Sequence, residues 1–359
     1  MDNLVLSNLF FRKTRTLVSI AGVALGVVLV VLTVGVVHGF LNEQGRRNSA
    51  VTAEIWFRPP GGFNLNLSST LSMKASLADE LRSIEGVRDA VPIGNLIRGN
   101  RVIDGIDFEQ FTRVSGVRVI EGRAVASGDE VMIDSYSRHN RKLKIGDEIE
   151  LLDRPFRVVG VYEPESLGRV KIPLETLQQF LNMPGNCSLI LVKVEDPSKQ
   201  EEVAARIKER FPKNGIDLTR DIPILYARGT PAMQTFLNVV VVLAIVVSSL
   251  VILLAMYTTV VERTRQIGVL KSLGASSFWI AGEIEKEALL ISLLGVLSGF
   301  GLSVAGKYII QRLSSLNVEL EAMWLFYALV LGVVSGALGA LYPALRAAGQ
   351  DPVKALSYE

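Results

Sequence analysis

Four stretches of this chain carry no charged residue over a length that can cross a lipid bilayer, and this constrains the fold more than any other feature. The first, Leu17 to Val37 (LVSIAGVALGVVLVVLTVGVV), runs for 21 residues without Asp, Glu, Lys or Arg. A helix of that length rises roughly 31 Å, about the thickness of the hydrocarbon core. Phe236–Val261, Ala288–Gly306 and Ala322–Leu345 obey the same rule. A buried helix of a soluble protein would set polar residues along one face, which these runs lack. The stretch from His38 to about Gly229 is the only one able to form a water-soluble domain.

The expected fold class is therefore a membrane α-helical protein with four transmembrane helices in a 1+3 arrangement. A large α+β extracytoplasmic domain is inserted between the first and second spans. The boundaries expected are an interfacial amphipathic helix at 1–16, spans at 17–37, 230–261, 288–306 and 322–345, and an outer domain at 38–229. A hairpin at 262–287, a short loop at 307–321 and a tail at 346–359 complete the chain. The interfacial helix rests on Leu4, Val5, Leu9 and Phe10 set against Asn3, Ser7, Asn8 and Arg12.

Cationic residues orient the spans. Arg12, Lys13 and Arg15 precede the first, Arg263, Arg265, Lys271 and Lys286 separate the second from the third, and Arg346 and Lys354 follow the fourth. The positive-inside rule puts these segments, and hence both termini, in the cytoplasm. The first span exceeds the 7–15 residues of a signal-peptide core and ends in no small-x-small cleavage site, so an uncleaved anchor is expected.

In the outer region, strands are expected at Ala53–Arg58, Val87–Ile93, Glu130–Ile133, Glu148–Leu152, Phe156–Tyr162 and Ser188–Val194, and amphipathic helices at Lys74–Ile84, Leu174–Leu181 and Gln200–Phe211. Gly61 to Ser72 reads as a polar loop. The acids Asp104, Asp107, Asp129, Asp134, Asp147 and Glu148 stand in turn-like contexts and are expected to be solvated, and neither Ser166 nor Ser188 has a histidine nearby in sequence. No catalytic site is expected.

Composition narrows the remaining classes. A net charge of +2 gives no basic stripe for nucleic acid. The single cysteine, Cys187, excludes an internal disulfide and a CxxC site, and His38 and His139 are too isolated to bind a metal together. Gly301-Leu-Ser-Val-Ala-Gly306-Lys307-Tyr308 matches a phosphate-binding loop except that Tyr308 stands where a magnesium-binding hydroxyl is required. It also ends an apolar run that no strand precedes, so any ATP must be bound by another chain. The four spans hold no ionisable acid or base of the kind that marks ion pathways, which disfavours a channel or secondary transporter.

Small residues recur at four-residue spacing in the apolar runs: Gly22 with Gly26, Gly35 with Gly39, Gly295 with Gly299, and Gly332 with Gly336. Each pair lets two backbones approach closely, either within one chain or between two.

The hairpin after the second span carries the functional expectation. Glu262, Arg263, Thr264, Arg265, Gln266, Ile267 and Gly268, then Leu270, Lys271 and Leu273, are expected to continue that span as a helix. Gly274 closes it before Ala275, and Ser276 or Ser277 caps the next helix. Ile267, Leu270 and Leu273, three residues apart, are expected to line one side, with Glu262, Arg263, Arg265 and Lys271 remaining polar.

ERTRQIGVLKSLGASSFWI (Glu262 to Ile280), with Glu287-Ala288 opening the third span, resembles the cytoplasmic coupling region of the FtsX-like permease family of ABC transporters. That family includes the MacB-like macrolide-exporter, lipoprotein-release and cell-division members. YPALRAAGQDPVKALSYE (Tyr342 to Glu359), AGVALGVVLVVLTVGVVHGF (Ala21 to Phe40) and KLKIGDEIELLDRPFRVVGVYE (Lys142 to Glu163) are similar to its carboxyl-terminal signature, opening helix and extracytoplasmic module.

The resemblance implies a non-catalytic inner-membrane subunit. It would pair with a second permease chain over separate cytoplasmic ATPase subunits that bind ATP and magnesium, with a periplasmic adaptor as a further partner and membrane lipid around it. It also implies a coupling role for Glu262 to Ala275 and an inserted part of the outer domain near 117–190. HGFLNE (His38 to Glu43) is similar to lipoprotein-release members, and cell-division members imply a second role, passing ATPase motion to an extracytoplasmic cell-wall hydrolase.

The charge bias makes a direct prediction. In intact cells, a membrane-impermeant thiol reagent that passes the outer envelope should label a cysteine placed in the Gly61–Ser72 loop and leave Ser357→Cys unlabelled. The reverse pattern would invert the orientation.

Overall fold

The computed structural model describes residues 13–61, 71–99, 101–229, 231–313, 317–320 and 322–351. Most of the expected interfacial helix, residues 62–70 of the expected loop and the end of the tail lie outside the described residues. The chain divides into two compact units, one of Met1–Phe40 with Pro231–Glu359 and one of Leu41–Thr230. Helix α1 (Lys13–Asn48) contributes to both.

The Leu41–Thr230 unit is α+β. Strands β1 (Ile55–Pro60) and β2 (Met73–Lys74) precede helix α2 (Leu77–Arg82), and a long hairpin, β3 (Val87–Arg98) and β4 (Arg101–Ile106), leads into α3 (Phe108–Ser115). Then come β5 (Arg118–Gly122), β6 (Glu130–Asp134), α4 (Ser135–Asn140), β7 (Glu148–Leu151), β8 (Arg154–Glu163) and β9 (Val170–Pro173). Helix α5 (Leu174–Phe180), β10 (Asn186–Cys187), β11 (Leu189–Val194), α6 (Gln200–Arg210), β12 (Asn214–Leu218) and α7 (Ile222–Arg228) complete the unit.

Local chemistry explains these elements. β7 alternates exposed Glu148 and Glu150 with buried Ile149 and Leu151, the period-two pattern of a half-buried strand. The Asp107 side chain accepts from the Gln110 N–H to start α3, and Gly116, at φ 69°, ends it in the left-handed region.

Among the described residues, ten strands form one sheet in the order β12-β1-β11-β3-β4-β9-β6-β8-β5, with β7 also paired to β8. The part expected as an insertion does not build a sheet of its own. It continues the same sheet through a short parallel seam, β4 against β9, in which Asp104 lies opposite Lys171.

That seam corrects an expectation. Asp104 and Asp134 are buried rather than solvated. Lys171 and Asp104, each with a fully buried side chain, pair at 2.9 Å. Asn95 Nδ2 and the Gly168 N–H donate to the same carboxylate at 2.9 and 2.8 Å, and Lys171 Nζ also donates to the Ser166 and Gly168 carbonyls at 3.0 and 3.2 Å. The ammonium lies 4.7 Å from the Tyr162 ring centroid and 5.0 Å from that of Phe111. Burial pushes the Lys171 pKa down and Asp104 opposes that shift.

Asp134 pairs with Arg169 at 2.6 Å, and Arg169 also reaches Glu43 at 3.0 Å and Glu165 at 3.3 Å. Turn-like sequence indicates solvated acids only when no cation is folded onto them, and the cations here come from distant strands and loops. Cys187 is buried between helices and strands, and burial raises its thiol to about 12, which leaves it unreactive.

The other unit is helical: α8 (Pro231–Glu262), α9 (Thr264–Ser272), α10 (Ser277–Leu313) and α11 (Ala322–Ala348) join the first part of α1. Among the described residues, four helices, α1, α8, α10 and α11, are long and apolar enough to cross a membrane. Glycines set their spacing. A Cβ added at Gly22 would stand 2.5 Å from Val251 Cγ1, and one at Gly26 would strike Ser248, so α1 and α8 touch backbone to side chain. Gly295 and Gly299 do the same for α10 against Val23 and Val27 of α1, at 2.6 and 2.7 Å. Gly332 and Gly336 of α11 receive Val296 and Ser292 of α10.

These six glycines all meet neighbours in the same chain. Gly35 and Gly39 seat the 317–320 segment instead, where the Glu319 N–H donates to the Gly35 carbonyl at 3.0 Å. Gly301 to Lys307 lies inside continuous helix α10, so its backbone N–H groups serve the helix rather than a phosphate.

Removing only the cation of the buried pair should be costly. Lys171→Met leaves Asp104 buried without a counter-ion and should destabilise the Leu41–Thr230 unit by about 3–5 kcal/mol, whereas adding Asp104→Leu should recover most of that loss. Urea unfolding of a soluble 41–230 segment measures both.

Candidate coupling hairpin

The residues from Glu262 to Ala275 cover the end of α8, a break, and α9. The helix expected to run unbroken to Leu273 is interrupted: α8 stops at Glu262, and Arg263 leaves helical geometry (φ −103°, ψ 10°) before α9 begins. The Thr264 hydroxyl donates to the Val260 and Val261 carbonyls at 3.1 and 2.8 Å, competing with the backbone ladder at the break. The Arg263 guanidinium crosses to α10 and pairs with Glu287 at 3.2 Å, both side chains being largely buried.

Helix α9 ends in a Schellman motif. The Ala275 N–H donates to the Leu270 carbonyl and the Gly274 N–H to the Lys271 carbonyl, each at 3.0 Å, with Gly274 at φ 96°. The next helix starts at once, since the Trp279 N–H donates to the Ser276 hydroxyl at 3.1 Å.

Ile267, Leu270 and Leu273 do not share a face. Ile267 is 7% exposed and joins a buried cluster with Val260, Ile280, Ile284, Ala344 and Ala347, whereas Leu270 is 38% and Leu273 80% exposed. The reason is geometric: three residues fall about 60° short of a full turn, so two such steps rotate the position about 120°, from the bundle toward solvent. Gly268 is buried beside Ile267, Ala275 is half-buried against the same cluster, and Glu262, Arg265 and Gln266 are exposed.

Lys271 makes its polar contacts within the chain. It is half-buried, and its Nζ donates to the Ala348 and Gln350 carbonyls at 2.5 and 2.8 Å. Phe278, at 90% exposure, is an apolar side chain of the hairpin that sequence reasoning missed, although its place just after the capping serine puts it in the first turn of α10. In the sequence Glu287 marks only the opening of a span, and its pairing with Arg263 is evident only in the fold.

The hairpin thus exposes Leu270, Leu273, Phe278 and Arg265, on a base fixed by Ile267, the Arg263–Glu287 pair and Lys271. It is suited to docking.

Comparison with known proteins agrees with this architecture. Residues 16–210 match the MacB-like periplasmic core domain, and residues 238–352 match the FtsX-like permease C-terminal domain. The chain belongs to the MacB-like, FtsX-like permease family of ABC transporters.

It is 24% identical, over 98% of its length, to the pyoverdine export ATP-binding/permease protein PvdT of Pseudomonas fluorescens, and covers 58% of that protein. It is 22% identical, over 99% of its length, to the uncharacterized ABC transporter permease YknZ of Bacillus subtilis, 98% of which it covers. It is 26% identical, over 98% of its length, to the macrolide export ATP-binding/permease protein MacB of Campylobacter jejuni, covering 60% of it. The chain therefore spans about three-fifths of the ATP-binding/permease relatives and nearly all of the permease YknZ.

Gly274→Val tests the hairpin closure. A β-branched residue at positive φ should cost about 1–3 kcal/mol and release the two Schellman bonds. Amide hydrogen exchange at positions 274 and 275 should accelerate in that variant, and much less in Gly274→Asn.

Proposed function

We propose that this chain is the permease subunit of an ABC transporter, crossing the inner membrane in a 1+3 arrangement with both termini cytoplasmic and the α+β unit periplasmic. Two such chains pair over separate cytoplasmic ATPase subunits, which hold ATP and magnesium. The hairpin Glu262–Ala275 receives their motion and passes it to the outer domains, with a periplasmic adaptor as a further partner. The outcome is export or extraction of a hydrophobic or amphiphilic substrate. Family membership supports the transporter class, and the names of the ATP-binding/permease relatives, which refer to pyoverdine and macrolide export, support the direction.

One observation carries the coupling role: Leu273 and Phe278 stand 80% and 90% exposed on either side of the turn between α9 and α10, in a hairpin tied to the bundle by a largely buried ion pair. An apolar tip on a rigid base suits a groove on a partner. Burying one leucine-sized side chain contributes about 1.5–3 kcal/mol.

Leu273→Asp removes that contribution and places a charge in the contact, so it should weaken association with the ATPase by at least tenfold, about 1.4 kcal/mol. Phe278→Asp should act likewise. Both changes lie at exposed positions, so membrane insertion and folding of the outer unit should persist. Copurification of the ATPase from membranes measures the effect, and undiminished recovery with both variants would refute docking at this tip.

A further inference from the structure

Helix α11 ends at Ala348, where the negative end of its dipole lies, and the Gly349 and Gln350 N–H groups donate back to its Leu345 and Ala347 carbonyls at 3.0 and 3.3 Å. The single Nζ of Lys271 meets two acceptors there, the carbonyls of Ala348 and Gln350. The same stretch reaches the other end of α9, because Gln350 Nε2 contacts the Thr264 hydroxyl at 3.5 Å. Lys271 and Thr264 are seven residues apart, about two helical turns, so the chain leaving α11 lies along the length of α9 and is bonded to it at the Lys271 end. Between them Ile267 shares a buried cluster with Ala344 and Ala347 of α11. A lysine serving only as a surface charge for a partner would keep its ammonium free, whereas this one is spent on carbonyls of its own chain.

We propose that Lys271 is a positioning residue: it clamps α9 to the end of α11, so that the hairpin and the fourth long helix move as one body. A displacement imposed at Leu270, Leu273 and Phe278 is then delivered to α11. This rests on the reading of that tip as the ATPase-docking surface. Lysine suits the role because one cationic nitrogen with three hydrogens can serve two carbonyls at a negative helix end. Arginine keeps both the charge and multiple donors, while methionine keeps the length and loses both.

The test uses the full chain in lipid nanodiscs, as wild type, Lys271→Met and Lys271→Arg. Amide hydrogen exchange is followed across 264–274 and 345–350, with and without the copurified ATPase and ATP. In Lys271→Met the 345–350 amides should exchange at least tenfold faster, with the outer unit unchanged as a folding control. Lys271→Arg should stay within about threefold of wild type. The ATPase should copurify with Lys271→Met as with wild type, while the ATP-dependent change in α11 exchange, present in wild type, is lost.

Unchanged exchange at 345–350 in Lys271→Met, or an ATP-dependent change in α11 that survives the substitution, would overturn the proposal. Loss of copurification in Lys271→Met alone would also overturn it, by making Lys271 part of the docking surface. If no ABC ATPase copurifies with wild type, the docking reading falls, and the clamp itself is still decided by exchange at 345–350.

Discussion

An apolar side chain gains nothing from water when it moves from lipid to a neighbouring helix, so close packing must hold the helical unit together. Every other feature of that unit depends on this constraint. Gly22 and Gly26 admit Val251 and Ser248, Gly295 and Gly299 admit Val23 and Val27, and Gly332 and Gly336 admit Val296 and Ser292. Each contact would be closed by one added methyl group. The helices α1, α8, α10 and α11 are thus seated against one another within a single chain, and these glycine faces are already occupied.

A bundle seated in this way can serve as a mount. The hairpin stands on it through three different interactions: a buried isoleucine, the Arg263–Glu287 pair and the Lys271 contacts with the end of α11. The outer unit uses the same chemistry at its own seam, where Lys171 and Asp104 face each other across β4 and β9. In both places a largely buried ion pair joins segments far apart in sequence. Such pairs add little net stability over an apolar contact, but losing one partner leaves the other charge stranded.

Much of the fold was legible because exclusion of charge is a strong signal. The four apolar runs, the alternation of Glu148 to Leu151 and the apolar strand Phe156 to Tyr162 all stand out without tertiary context. β4, β5, β9 and β12 did not, because a charged residue interrupts each apolar run: Asp104 in β4, Glu121 in β5, the buried Lys171 in β9 and Asp217 in β12. At the hairpin, Gly274 was readable as a helix stop, since positive φ favours one residue type. The inward turn of Ile267 was not, because a spacing of three lies between two faces of a helix. Lys271 was unreadable for another reason: its acceptors lie 77 and 79 residues further along the chain, and lysine in a charged loop reads as solvated.

Family membership and the exposed apolar tip together make contact between this hairpin and an ATPase the central claim. The most direct measurement is photo-cross-linking in intact cells with a photoreactive amino acid at position 273, a second at position 267 serving as a buried control. If the hairpin docks on an ATPase, position 273 captures an ABC ATPase subunit and position 267 captures only the chain's own helices. Capture of lipid alone at position 273, with no ATPase, would contradict it and leave the hairpin as a helix resting on the membrane surface.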